Sequence, residues 1–171
     1  MTPPLSPPRT SVADPGLTRP DWTVPESRDP NLLWLDKNEN VDPALTAIVH
    51  KALSEIPLAT QSSYPDASVL YQKLADHLGL GPKNLILSAG SDGVIRSVFE
   101  AFIDPGNVVL HTQPTFAMYG VYCRMYGAEA RALTYRPSNA GPALTASDIV
   151  DTIQSSSPKL VCLPNPDSPT G

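Results

Sequence analysis

Residues 85–111 read LILSAGSDGVIRSVFEAFIDPGNVVLH, and this stretch decides the fold class. Leu85-Ile86-Leu87 is an apolar run of the length of a short buried strand, and Gly90-Ser91-Asp92-Gly93 is a turn. Val94, Ile95, Val98, Phe99 and Phe102 then recur at the i, i+1, i+4, i+5, i+8 spacing of one helix face. Asp104-Pro105-Gly106-Asn107 stops that helix, and Val108-Val109-Leu110 opens another strand. A strand, an amphipathic helix and a second strand in this order make a repeating unit of parallel sheet.

The alternation continues toward the C-terminus. Residues 115–126 read as a helix and Ala128 to Tyr135 as a strand. Thr145-Ala146-Ser147-Asp148 resembles a capping box with Asp in place of the usual Glu, ahead of a helix through Ile149, Val150 and Ile153. Leu160-Val161-Cys162-Leu163 is a last buried strand. The expected class is therefore α/β with a largely parallel sheet, and there is no internal repeat. The last eight residues, Pro164 to Gly171, form a loop leaving a buried strand, so the chain is expected to be an N-terminal piece of something longer.

Toward the N-terminus the texture is helical. Pro43 suits the first turn of a helix that carries Leu45, Ile48, Val49, Ala52, Leu53 and Ile56, and Pro57 ends it. Asp66, after Tyr64-Pro65, is placed as the N-cap of a second helix with Val69, Leu70, Leu74 and Leu78, closed by Gly79. Further upstream, Leu32 to Leu35 is an apolar run that stops at Asp36-Lys37-Asn38-Glu39-Asn40. Eight of the 20 prolines fall in the first 30 residues, without apolar periodicity, which reads as a disordered arm. The expected organisation is a 1–30 arm, a 31–60 segment belonging to a small domain, and a 61–171 incomplete large domain.

Composition narrows the function classes. A net charge of −5 leaves no basic footprint for nucleic acid. No run approaches the roughly 18 apolar residues of a membrane span. The arm has neither a basic start nor an apolar h-region, and its four acidic residues argue against a transit peptide, so the cytoplasm is the expected location. Cys123 and Cys162 lack metal-ligand spacing and read as buried small hydrophobes in a reducing compartment.

Three segments could carry chemistry. Gly90-Ser91-Asp92 precedes a helix whose first N–H groups and dipole suit a phosphate, although alone Ser91 or Asp92 reads as a simple cap. Gln113-Pro114-Thr115-Phe116-Ala117-Met118-Tyr119 follows a strand, where the Phe116 face could stack on a planar ring or pack into the core. The terminal loop, with Asn165, Asp167 and Ser168, is either a tight turn or a set of donors and acceptors at the sheet edge. Successive strand ends of one parallel sheet can converge on one pocket.

Together these segments resemble the fold-type I pyridoxal-phosphate-dependent aminotransferases, and within them the histidinol-phosphate aminotransferases. The match runs from about Leu32 to Gly171 on Asn38-Glu39-Asn40, Tyr64-Pro65-Asp66, Gly90-Ser91-Asp92, Pro114 to Tyr119 and the tail, which is similar to the family loop N-P-x-x-P-T-G. The resemblance implies pyridoxal 5'-phosphate as cofactor. Gly90, Ser91 and Asp92 would bind its phosphate, Phe116 would stack on its ring in place of the usual Tyr, and Tyr64 would reach the phosphate of a neighbouring subunit in a homodimer. Asn38 would lie near the substrate. Ser168 stands where the family usually has Asn, whose amide donates to the ring oxygen; a hydroxyl is a shorter donor.

The implied activity is transfer of an amino group between an amino compound, histidinol phosphate or an aromatic amino acid being candidates, and a 2-oxo acid. The lysine that holds the cofactor covalently and the acidic partner of its ring nitrogen are expected downstream. Lys37, Lys51, Lys73, Lys83 and Lys159 match no such motif, and Arg96, Arg124, Arg131 and Arg136 are not assigned to a substrate carboxylate. This chain alone is thus expected to be inactive, with no catalytic residue and no metal. The alternatives are a decarboxylase of the same fold, of the threonine-phosphate decarboxylase kind, a non-catalytic cofactor-binding module, and a degenerate inactive product.

Overall fold

The computed structural model describes residues 7–17, 29, 31–34 and 40–171. They divide into two compact units, one of residues 21–86 and one of residues 1–20 with 87–171. In the first unit, α1 (Pro43–Ser54) starts with Pro43 in its first turn, while the Asp42 carboxylate accepts from the Ala44 N–H at 2.7 Å. A short α2 (Leu58–Gln61) follows Pro57. α3 (Ser68–Leu78) ends on Gly79, whose φ of 66° lets its N–H reach the carbonyls of Ala75 and Asp76. Asp66 is not the N-cap. Ala67 holds that position, and Asp66, one residue earlier, accepts from the Ser68 N–H at 2.9 Å in a local side-chain turn.

The second unit is built on a sheet. α4 (Gly90–Phe102) begins four residues earlier than the apolar stripe indicates, so the expected turn at 90–93 is its first turn. Then come β1 (Val108–Gln113), α5 (Met118–Tyr126), β2 (Glu129–Thr134), α6 (Ala146–Ser156) and β3 (Leu160–Cys162). The three strands pair in the order β2-β1-β3, all parallel, as the strand and helix alternation requires. Val108 faces Glu129 at one end and Gln113 faces Thr134 at the other, while Val109 to His111 pair with Leu160 to Cys162. The expected capping box is present: Thr145 and Asp148 satisfy each other's backbone N–H groups.

Two elements differ from expectation. Leu85-Ile86-Leu87 joins no strand; Leu85 has extended backbone, but a strand exists only where a neighbour completes its ladder. α5 starts at Met118 rather than at residue 115, because the Thr115 side chain is drawn to the terminal loop. In the arm, residues 10–12 and 15–17 form single turns, and Arg124 of α5 donates to the Gly16 carbonyl at 3.1 Å.

The core joins both sides of α5. Phe99 and Ile103 meet Val109, Tyr119, Tyr122, Cys123 and Cys162, and the Phe99 ring lies 5.6 Å from that of Tyr122. Val109 and Leu110, neighbours on the central strand β1, are both fully buried, as expected of a strand covered on two faces. Phe102, in the same stripe as Phe99, stays 60% exposed.

Candidate functional site

Parallel strands bring their C-terminal ends to one edge of the sheet, and three loops leave from there. The loop after β1 carries Thr115 and Phe116, the residue after β2 is Tyr135, and the loop after β3 carries Asp167 and Ser168. Asp167 gathers them. Its carboxylate accepts from the Thr112 hydroxyl at 2.6 Å, the Thr115 hydroxyl at 2.7 Å and the Tyr135 hydroxyl at 2.8 Å. Burial pushes the pKa of Asp167 up, but the three hydroxyls and the Ser168 N–H outweigh that and hold it below the ordinary carboxylate value. Sequence reasoning placed Asp167 only among the terminal loop's donors and acceptors, and gave Thr112 no site role. The available signal was Thr112, a polar residue at a buried position of the central strand, which demands a partner.

Phe116 and Tyr119 divide the two roles open to them. Tyr119 is buried in the core, whereas Phe116 is 37% exposed and meets the Tyr119 ring edge to face at 6.2 Å. Burial, with the neighbouring Cys162 and the charge of Asp167, raises the pKa of Tyr119 and keeps its phenol neutral.

The N-terminus of α4 is open. Its N-cap, Ala89, offers no side-chain hydrogen bond, so neither Ser91 nor Asp92 serves as the cap. Asp92 instead accepts from the Tyr122 hydroxyl of α5 at 2.9 Å. Gly90 has a φ of +77°, nothing lies within 4 Å of where a Cβ would stand, and its N–H donates to the Ser88 carbonyl at 2.9 Å. At Gly93 a Cβ would collide with the Ser88 hydroxyl, so a larger residue there requires the Ser88 side chain to turn away. Tyr119 and Tyr122, one turn apart on α5, connect the Phe116 end of the site with the Asp92 end.

Tyr64, in the 21–86 unit, is 98% exposed. Asn38 falls outside the described residues, as does Lys37. Lys159 pairs through its N–H with the carbonyl of Val108, the first residue of β1, and so sits at the opposite end of the sheet from the site. The four arginines in question have local partners: Arg96 with Tyr126, Arg124 with Gly16, Arg131 with Glu129 and Arg136 with Asp148. Among the described residues, no cluster of His, Cys, Asp and Glu could hold a metal ion, and no helix is long and apolar enough to cross a membrane.

Residues 30–171 match the family model for aminotransferase class I and II. The chain belongs to this family. A histidinol-phosphate aminotransferase of Caldanaerobacter subterraneus is 36% identical over 110 residues, covering 63% of this chain and 30% of the relative. Another, from a Thermoanaerobacter species, is 36% identical over 126 residues, covering 72% of this chain and 35% of the relative. The chain thus spans about a third of the length of these curated relatives. The fold agrees with that of solved aminotransferases. A histidinol-phosphate aminotransferase from Sinorhizobium meliloti, determined with pyridoxal 5'-phosphate, aligns with a TM-score of 0.60 at 23% identity over 75% of this chain and 33% of its own. An α-aminoadipate aminotransferase from Thermus thermophilus aligns with a TM-score of 0.56 at 24% identity, over 75% of this chain and 33% of its own.

Proposed function

We propose that this aminotransferase-family chain supplies the phosphate- and ring-binding part of a pyridoxal-phosphate-dependent aminotransferase, which moves an amino group between an amino compound and a 2-oxo acid. The carrying observation is the first turn of α4, which no side chain caps, with open space on the Cβ side of Gly90 and the Asp92 carboxylate engaged by Tyr122. A dianionic phosphate fits there: the N–H groups of Ser91 and Asp92 and the Ser91 hydroxyl donate, while the Gly90 N–H is held by the Ser88 carbonyl at 2.9 Å, and the helix dipole favours the charge. Phe116 offers an exposed ring face for stacking, and Ser168 a hydroxyl for the ring oxygen. When bound, the cofactor supplies an electron-withdrawing ring that takes up the electron pair released at the amino-bearing carbon.

The same reading makes the amino compound histidinol phosphate or an aromatic amino acid, in line with the relatives named above. It makes the enzyme a cytoplasmic homodimer in which Tyr64, 98% exposed, completes the neighbouring subunit's phosphate site, with Asn38 beside the substrate. Titration calorimetry of the chain with pyridoxal 5'-phosphate, and with pyridoxal lacking the phosphate, tests the binding role. Saturable binding is expected for the first, with about tenfold loss in Ser91→Ala and in Phe116→Ala, since each removes a contact worth on the order of 1–2 kcal/mol. Equal affinity for both compounds, or unchanged affinity in both variants, would overturn the reading.

A further inference from the structure

The Asp167 cluster is more than a loop anchor needs. Asp167 is 4% exposed, and no Lys or Arg pairs with it among the described residues. A buried carboxylate without a cation is costly unless hydrogen bonds replace its water. Here neutral donors replace it: Thr112 at the end of β1, Thr115 in the next loop, Tyr135 just past β2, and the Ser168 N–H. An ionised carboxylate has about four acceptor sites, so it can take all four donors at once. An amide in its place would bring two donors of its own against three hydroxyls. The Asp167 carbonyl also accepts from the Gly171 N–H at 2.6 Å, closing the loop on itself.

The donors matter for their neighbours. Thr115 precedes Phe116, and Ser168 follows Asp167, so one side chain sets the distance between the two groups placed on either side of the cofactor ring. We propose that Asp167 is a positioning residue that ties the ends of β1, β2 and β3 together and holds Phe116 and Ser168 in register for a planar, phosphorylated ring. This deepens the proposed function and rests on it for the identity of the ligand. The phosphate end of the site depends on a different contact, Tyr122 with Asp92, so losing the clasp weakens the ring end and spares the phosphate end.

The test uses the full chain and two variants, Tyr135→Phe, which removes one donor and leaves the carboxylate two hydroxyls, and Asp167→Asn. Amide hydrogen exchange is read residue by residue, and pyridoxal 5'-phosphate and inorganic phosphate are titrated separately. Exchange at Phe116 and Ser168 is expected to rise about tenfold in Tyr135→Phe, while Val109 and Leu110 keep their protection; one hydrogen bond to a charged group is of that size. Affinity for pyridoxal 5'-phosphate falls about tenfold by the same estimate, and affinity for inorganic phosphate is unchanged. Equal losses for the two ligands would reduce Asp167 to general support and overturn the proposal. Unchanged exchange at both amides in Tyr135→Phe would overturn it whatever Asp167→Asn does to folding. Failure of the unaltered chain to bind pyridoxal 5'-phosphate would instead remove the proposed function, and the exchange result would still decide whether the clasp orders the two loops.

Discussion

Helices α1 and α3 in one unit and α4 and α5 in the other carry comparable apolar stripes, but they use them differently. Along α1, Leu45, Ile48, Val49 and Leu53 remain 39–65% exposed, and α3 buries only Ala75. In the sheet-bearing unit, Phe99 of α4 and Tyr122 and Cys123 of α5 are almost completely buried against Val109 and Cys162. The same periodicity becomes a core only where a sheet supplies the opposite wall. Helical spacing states which residues can share a face; burial depends on what stands across from that face.

The sharpest way to break this contrast is to remove one side chain from each unit. Phe99→Ala is expected to destabilise the sheet-bearing unit by about 3–5 kcal/mol in urea unfolding, because it empties a fully enclosed aromatic site. Leu53→Ala, at a residue 58% exposed, is expected to change stability by no more than about 0.5 kcal/mol. Comparable effects from the two substitutions would mean that the α1 face is packed after all.

A second contrast lies inside the sheet-bearing unit, between its apolar wall and the polar clasp at its edge. The pKa of Asp167 is lowered in the folded state, so its contribution to stability is present above the unfolded value near 3.8 and is lost as pH falls through the lower folded value. Urea midpoints measured from neutral pH downward should therefore fall on acidification by more in the wild type than in Asp167→Asn. At neutral pH that variant is expected to cost about 1.5–3 kcal/mol, the size of hydrogen bonding to a charged group. Parallel acid profiles would contradict a charged clasp.

Most of the sheet-bearing unit was legible in the sequence, and the reasons differ by residue. Val109 and Leu110, and the Thr145 to Asp148 box, follow from local rules that tertiary structure did not override. The strand expected at Leu85 to Leu87 failed because its existence depends on a partner that local pattern cannot supply. At the site, Ser91 and Phe116 were visible as residue types at strand ends. Asp167 was visible only as a loop acceptor; its gathering role was not, since its partners Thr112, Thr115 and Tyr135 are 32–55 residues away in the chain. Sequence position hides such a cluster until the register of β1 with β2 and β3 brings the three strand ends together.

Smaller effects refine the picture. Thr145→Ala should lower stability by about 1 kcal/mol, through loss of the α6 cap, with α4 and the clasp unaffected in amide exchange. The two thiols should be inert in the native state: burial pushes Cys123 up to about 11 and Cys162 up to about 12. Labelling by a disulfide reagent at neutral pH is expected only at the rate of unfolding, and fast labelling of either would show that the wall between α5 and β3 is open.

The central claim is that the first turn of α4, the Phe116 loop and the Ser168 loop serve one ligand. Its most direct test is amide chemical-shift mapping of the chain during titration with pyridoxal 5'-phosphate. The account predicts that the amides of Gly90 to Gly93, Thr115, Phe116 and Ser168 move together along one saturation curve, while Lys159 at the far end of the sheet stays still. Shifts that follow separate curves in the three segments, or that cluster around the lysines, would contradict it.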